Sequence, residues 1–118
     1  MDRERALEQV GDGWSTLVNT FYSFVDVLND HQEFPDPQIM IEEVSVDRGM
    51  LKIVALSTSV TTQDILDKLA WAIERDSAKV CEVCGEKGFR RKAIEGSPNR
   101  CQPHYIELMN KMAEEGKL

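Results

Sequence analysis

The sequence predicts an α+β fold, and three observations carry that prediction. Apolar residues recur at spacings of three and four from Trp14 to Leu28, the period of one buried helix face. Two strand-like runs, residues 39–46 and 50–56, flank Asp47-Arg48-Gly49, the pattern of a β-hairpin. Further on, Cys81-Glu82-Val83-Cys84-Gly85 and Cys101-Gln102-Pro103-His104 place all three cysteines and one of the two histidines in two pairs. Such paired spacing is the pattern of four ligands to one zinc ion. The expected order is an N-terminal helix, a β-hairpin, a helix, and then a C-terminal treble-clef-like zinc module with a closing helix.

Residues 2–10 suit a short charged helix ended by Gly11. In the next helix the buried stripe is expected to be Trp14, Leu17, Val18, Phe21, Phe24, Val25 and Leu28, with Asn19, Ser23 and Asp26 opposite and Asp12 as N-cap. His31, near its end, reads as a surface residue mildly favoured by the helix dipole. The segment Glu33-Phe34-Pro35-Asp36-Pro37 is a connection, because proline lacks the donor that a helix needs and disfavours helical geometry before it.

In the second strand run Met50, Lys52, Val54 and Leu56 share one face, and Leu51, Ile53 and Ala55 the other. Apolar residues on nearly both faces predict a strand well covered on each side. Thr61 with Asp64 three residues on resembles a capping box, opening a helix that runs to about Ser77. Leu66, Leu69, Ala70 and Ile73 form its core face, with Ile65 and Ala72 at one edge. Trp71 falls on the other side, among Asp64, Asp67, Lys68 and Arg75. Two readings of it stay open: the zinc module or a terminal helix folds over it, or it is an exposed aromatic anchor for a partner.

The helix leads almost directly into Cys81. A Cys-x-x-Cys knuckle needs a tight backbone turn, which Gly85 accommodates at positive φ. Pro103 suits the first position of a helix carrying the last two ligands, and the 16 residues from Gly85 to Arg100 allow a short hairpin between the pairs. Phe89 is expected to pack beneath the knuckle. A disulfide scheme would leave one of three cysteines unpaired, and a redox Cys-x-x-Cys would not explain the second pair. A catalytic zinc keeps one position open for water; four available ligands favour a closed, structural site. After His104, the residues Tyr105, Ile106, Leu108, Met109 and Met112 predict a closing helix, and residues 114–118 a frayed tail.

At 118 residues the chain is expected to form one domain, with residues 1–78 as an acidic body and residues 79–118 as the zinc module. The body carries 6 Lys/Arg against 15 Asp/Glu, a net of −9; the zinc module carries 8 against 6, a net of +2. That balance does not suit a non-specific DNA binder, which needs one broad basic face. The charged start and the lack of a long apolar run predict neither a signal peptide nor a membrane span, and reduced cysteines point to the cytoplasm.

Little in the chain suggests catalysis. With Cys81, Cys84, Cys101 and His104 assigned to metal, no cysteine nucleophile is left and His31 is the remaining histidine base. Phosphate-binding loops and nucleophile elbows are absent. Glu42 and Glu43, adjacent on a strand, point to opposite faces and form no carboxylate pair. Asp26 and Asp30 share a solvated helix face. HNH-type nucleases also use a treble clef, but need a catalytic histidine that residues 86–100 lack. The basic cluster Arg90, Arg91 and Lys92, with Lys79, Lys87 and Arg100 nearby in sequence, is open to two readings. It could grip a phosphate backbone or an acidic protein surface, or be a solvated hairpin edge whose charges discourage aggregation.

The order Gly13-Trp14, an apolar helix, Val46-Asp47-Arg48-Gly49-Met50-Leu51-Lys52, Ile73-Glu74-Arg75-Asp76-Ser77 and Cys81-Glu82-Val83-Cys84-Gly85 resembles a group of uncharacterised small bacterial and bacteriophage zinc-site proteins. That group has a Gly-Trp helix, a Lys-Glu-Lys-Phe-Gly-x-Leu-Arg strand, Cys-Glu-x-Cys-Gly, and Cys-x-x-His near the end. Here Asp47-Arg48 replace Lys-Phe, and the tryptophan often found before the second ligand pair is missing. The resemblance implies a fold and a metal; its phage association points to proteins that act on a host or defence complex.

The expected function is therefore a non-enzymatic, zinc-stabilised protein-interaction module in the cytoplasm of a bacterial host. Its acidic body would dock on a partner's basic surface, possible contacts being Trp71, Asp64 and Asp67. The alternative is a nucleic-acid-binding regulator using Arg90, Arg91 and Lys92.

Overall fold

A computed structural model describes residues 1–30 and 39–117. His31, the Glu33–Pro37 connection and the last residue of the tail lie outside the described residues. The order is α1 (Arg3–Gln9), a 3-10 turn (Asp12–Trp14), α2 (Ser15–Asp30), β1 (Ile39–Asp47), β2 (Met50–Ser57), α3 (Val60–Ser77), β3 (Phe89–Arg90), β4 (Asn99–Arg100) and α4 (Gln102–Glu114). The α+β architecture is the expected one.

Several local details differ from expectation. Asp12 does not cap α2; it opens the 3-10 turn, and Gly11 precedes that turn. Trp14, Val18, Phe21 and Val25 are buried as the stripe requires, but Phe24 is 41% exposed. Tyr22 takes its place inside, with its hydroxyl donating to Met1 O at 2.9 Å. Helix α3 starts earlier than the Thr61 motif suggests: Ser59 is its N-cap and accepts from the Thr62 N–H. Pro103 occupies the second helical position, because Cys101 is the N-cap.

The hairpin is antiparallel with a two-residue turn. Arg48 and Gly49 both have positive φ, 51° and 79°, as a type I′ turn demands. The register shifts between Ile41 and Glu43. This bulge brings Ile41 and Val44, three residues apart, both into the core. Leu51, Ile53 and Ala55 are buried while Leu56 is 43% exposed and Lys52 is exposed. The second strand is thus covered on one face, not two: α3 packs on β2, α1 packs on α2 and β1, and α2 touches α3.

Helix α3 also completes the outer edge of β2. Ser77 Oγ accepts from the Leu51 N–H at 2.8 Å, Glu74 Oε2 from the Ile53 N–H at 2.8 Å, and Gln63 Oε1 from the Ser57 N–H at 2.7 Å. Gln63 Nε2 in turn donates to Ala55 O at 2.9 Å. A two-stranded sheet leaves such edge groups without ladder partners. Here Gln63, Glu74 and Ser77, set along one side of the helix with Leu66, Ala70 and Ile73, supply them.

Helix α4 contacts β4 and has no buried residue. It opens at the candidate pair Cys101 and His104 and ends the chain's described elements as the expected closing helix, and the described molecule is elongated, 56 × 22 × 20 Å. Its end is capped rather than frayed. Gly116, at φ 72°, follows the C-cap, and Lys117 N–H donates to Met112 O at 2.8 Å, a Schellman arrangement.

Candidate metal centre and surrounding surfaces

The knuckle is shaped by its backbone. Cys81 N–H donates to Glu86 O at 2.7 Å and Gly85 N–H to Cys81 O at 3.0 Å, with Gly85 at φ 80°. Cys101 caps α4, and Tyr105 N–H donates to Cys101 O at 2.8 Å. That first turn directs His104 back toward Cys101. The ligand atoms of Cys81, Cys84, Cys101 and His104 consequently lie within 4.8 Å of one another.

Tetrahedral zinc bonded at about 2.3 Å to sulfur and about 2.0 Å to nitrogen separates its ligand atoms by roughly 3.5–3.8 Å. Cys84 Sγ and Cys101 Sγ are 3.6 Å apart, Cys81 Sγ and His104 Nδ1 3.7 Å, and Cys101 Sγ and His104 Nδ1 3.0 Å. No disulfide joins the three cysteines. The first two separations match tetrahedral zinc and the third is shorter; three sulfurs and an imidazole nitrogen so gathered are a donor set that fits a metal ion. Burial acts to raise the Cys81 thiol, but backbone N–H groups at Cys101, Cys84 and Val83, with the Cys84 thiol, outweigh it and lower the value to about 6. The same amides would favour a metal-bound thiolate.

The knuckle is fastened to the body at two places. Gly13 N–H donates to Glu82 O at 2.9 Å, and the fully buried Trp14 donates its indole N–H to Val80 O at 2.9 Å. A Cβ on Gly13 would run into the backbone of Cys81, Glu82 and Gly85. The second fastening is Asn99, fully buried, whose Nδ2 donates to Gly49 O, Ser77 O and Ala78 O. One amide thus joins the β3–β4 hairpin, the β1–β2 turn and the end of α3. Glu82 and Arg100 pair at 3.1 Å with both side chains largely covered. Burial raises the Glu82 carboxyl pKa, with Arg100 opposing.

The other predicted contact residues are not all placed alike. Trp71 is 59% exposed on the outer side of α3; of its two readings, a covering module is not what the structure has. Arg75 lies 4.9 Å over its ring. Asp64 pairs with Lys68 at 2.8 Å, and Asp67 accepts from Gln63 at 2.9 Å. Arg90 Nε donates to Arg48 O at 2.7 Å, which ties it to the hairpin turn. Lys92 is exposed. Arg91 stacks 4.3 Å over the Tyr105 ring, with Nη2 near Gln102 at 3.4 Å.

Phe89 does not pack beneath the knuckle. It is 53% exposed, and Lys87 Nζ and Arg91 Cζ each stand 5.6 Å from its ring centre. The short hairpin β3–β4 turns its side chain outward while Gly88, beside it, is buried against Cys81 and Asn99. The sequence signal was Lys87-Gly88-Phe89: a glycine packed on the knuckle leaves its neighbour to solvent. None of the described helices is long and apolar enough to cross a membrane. No protein-family model matches the chain, and comparisons with curated proteins and with solved structures found no match.

Proposed function

We propose that this chain is a non-enzymatic interaction protein whose C-terminal module is held by one structural zinc ion. Its acidic body docks on a basic surface of a larger protein assembly, one that ordinarily holds nucleic acid. The observation carrying this reading is Trp71, 59% exposed on a helix face shared with Asp64 and Asp67. A large amphipathic ring, more than half exposed and stacked with Arg75 beside charged neighbours, is the residue type that dominates binding energy when a partner covers it. The net charge of −9 over residues 1–78 would speed such docking and make it salt-sensitive. Zinc serves by fixing the knuckle against Gly13 and Trp14, so that body and module form one rigid body.

The test is an affinity pull-down of tagged, zinc-loaded protein from bacterial lysate treated with nuclease, run beside W71A and a D64K/D67K variant. A partner that survives nuclease, is lost with both variants and elutes with salt supports the reading. Recovery that is unchanged by either variant refutes it.

A further inference from the structure

We infer that the zinc module carries a second binding face, separate from α3, that takes single-stranded nucleic acid by stacking a base on Phe89. The face combines an exposed aromatic ring with fixed positive charge, the two components of sequence-tolerant single-strand binding. Phe89 keeps half its surface open. Lys87 Nζ and Arg91 Cζ each stand over its ring at 5.6 Å, and Arg91 lies closer, 4.3 Å, over the Tyr105 ring. The tighter guanidinium stack therefore belongs to Tyr105, and a base that displaced the looser cations from Phe89 would leave that stack in place. Arg91 is held rather than free: it lies against Tyr105 and near Gln102, and its Nε is buried without a hydrogen-bond partner among the described residues. A cation held in place beside an open ring loses little freedom when a phosphate arrives.

The charge around the ring has the right sign. Residues 79–100 carry six Lys/Arg against three Asp/Glu, a net of +3; Glu82 and Arg100 pair with each other, which leaves five bases against two acids. A duplex would shield its base faces from Phe89, and a site this small cannot span many phosphates. An acidic peptide would use Lys87 and Arg91 but gain little from an open ring. A single strand uses both.

The test is fluorescence anisotropy with labelled oligothymidylate and the full zinc-loaded chain at low salt. Wild type is expected to bind the single strand more tightly than the same sequence in a duplex, and to lose affinity as salt rises. F89A is expected to weaken binding about tenfold, the scale of one lost base–aromatic stack. F89W is expected to retain it, and K87E to weaken it. Zinc content confirms that each variant is folded, which Phe89 and Lys87 allow because both are exposed. The inference is overturned if wild type does not bind, if F89A binds as wild type does, if duplex is bound as tightly, or if polyglutamate competes equally for wild type and F89A. None of these outcomes bears on Trp71, so the docking reading stands or falls separately.

Discussion

Gly13→Ala is the substitution that most sharply separates this structure from a generic small domain. Gly13 is not at positive φ, so alanine is compatible with its backbone. On that ground alone the change would stabilise by about 0.4–1 kcal/mol through the unfolded chain. Space decides otherwise. The added methyl would meet the backbone of Cys81, Glu82 and Gly85, and the peptide groups of this tight knuckle cannot rotate aside as a side chain can. Overpacking of this kind costs about 1–3 kcal/mol. Moving the knuckle away also stretches the Gly13–Glu82 and Trp14–Val80 hydrogen bonds, both 2.9 Å, at about 1 kcal/mol each. The net expectation is a loss of about 3 kcal/mol, or roughly 10 °C in melting temperature for a chain of this length. Denaturant titration of zinc-loaded wild type and G13A measures it, and competition with a chelator should show weaker metal retention in the variant. A G13A protein as stable as wild type, or more stable, would refute the close approach of Gly13 to the knuckle.

Ser77→Ala should cost about 2 kcal/mol in denaturant titration, because the buried Leu51 N–H loses its acceptor; an unchanged midpoint would mean that α3 does not complete the edge of β2. Tyr22 gives a pH-dependent expectation. Burial, with the Asp2 charge adding and Arg3 opposing, raises its pKa above the ordinary 10. The folded state therefore favours the neutral phenol, which donates to Met1 O. That contribution is complete below pH about 10 and is lost as pH rises through the higher folded value. Stability of Y22F relative to wild type should accordingly improve through the alkaline range, and parallel curves would remove Tyr22 from the account.

Much of the fold was legible because local and global signals agree. The stripe from Trp14 to Val25, the Arg48-Gly49 turn and the paired ligand spacing each belong to one element and needed no knowledge of neighbours. Errors arose where a distant contact decides. Phe24 and Tyr22 exchange inside and outside because a phenol could find carbonyls at the chain's first two residues. The outer face of β2 stays open because the helices of the body, α1, α2 and α3, provide cover on one side. Ser77 and Glu74 look like helix-surface polar residues until the unpaired edge of β2 is beside them. At the candidate metal centre the clustering of Cys81, Cys84, Cys101 and His104 was readable from spacing alone. Their fastening through Gly13, Trp14 and Asn99 was not, since those residues lie far from the knuckle in sequence or carry no motif. The outward Phe89 was missed for a related reason: a cysteine knuckle is expected to shelter an aromatic, and here Gly88 occupies that space.

The central claim is that Cys81, Cys84, Cys101 and His104 hold one zinc ion on which the module depends. The measurement closest to it is the metal content and native mass of the purified chain, taken for wild type and C84S and followed by circular dichroism with and without chelator. One zinc per wild-type chain is expected, with loss of that zinc in C84S and unfolding of at least the region after Val80 in both C84S and chelated wild type, since structural zinc supplies about 10–16 kcal/mol in small modules. Wild-type protein that is folded and melts identically with no metal bound would contradict it.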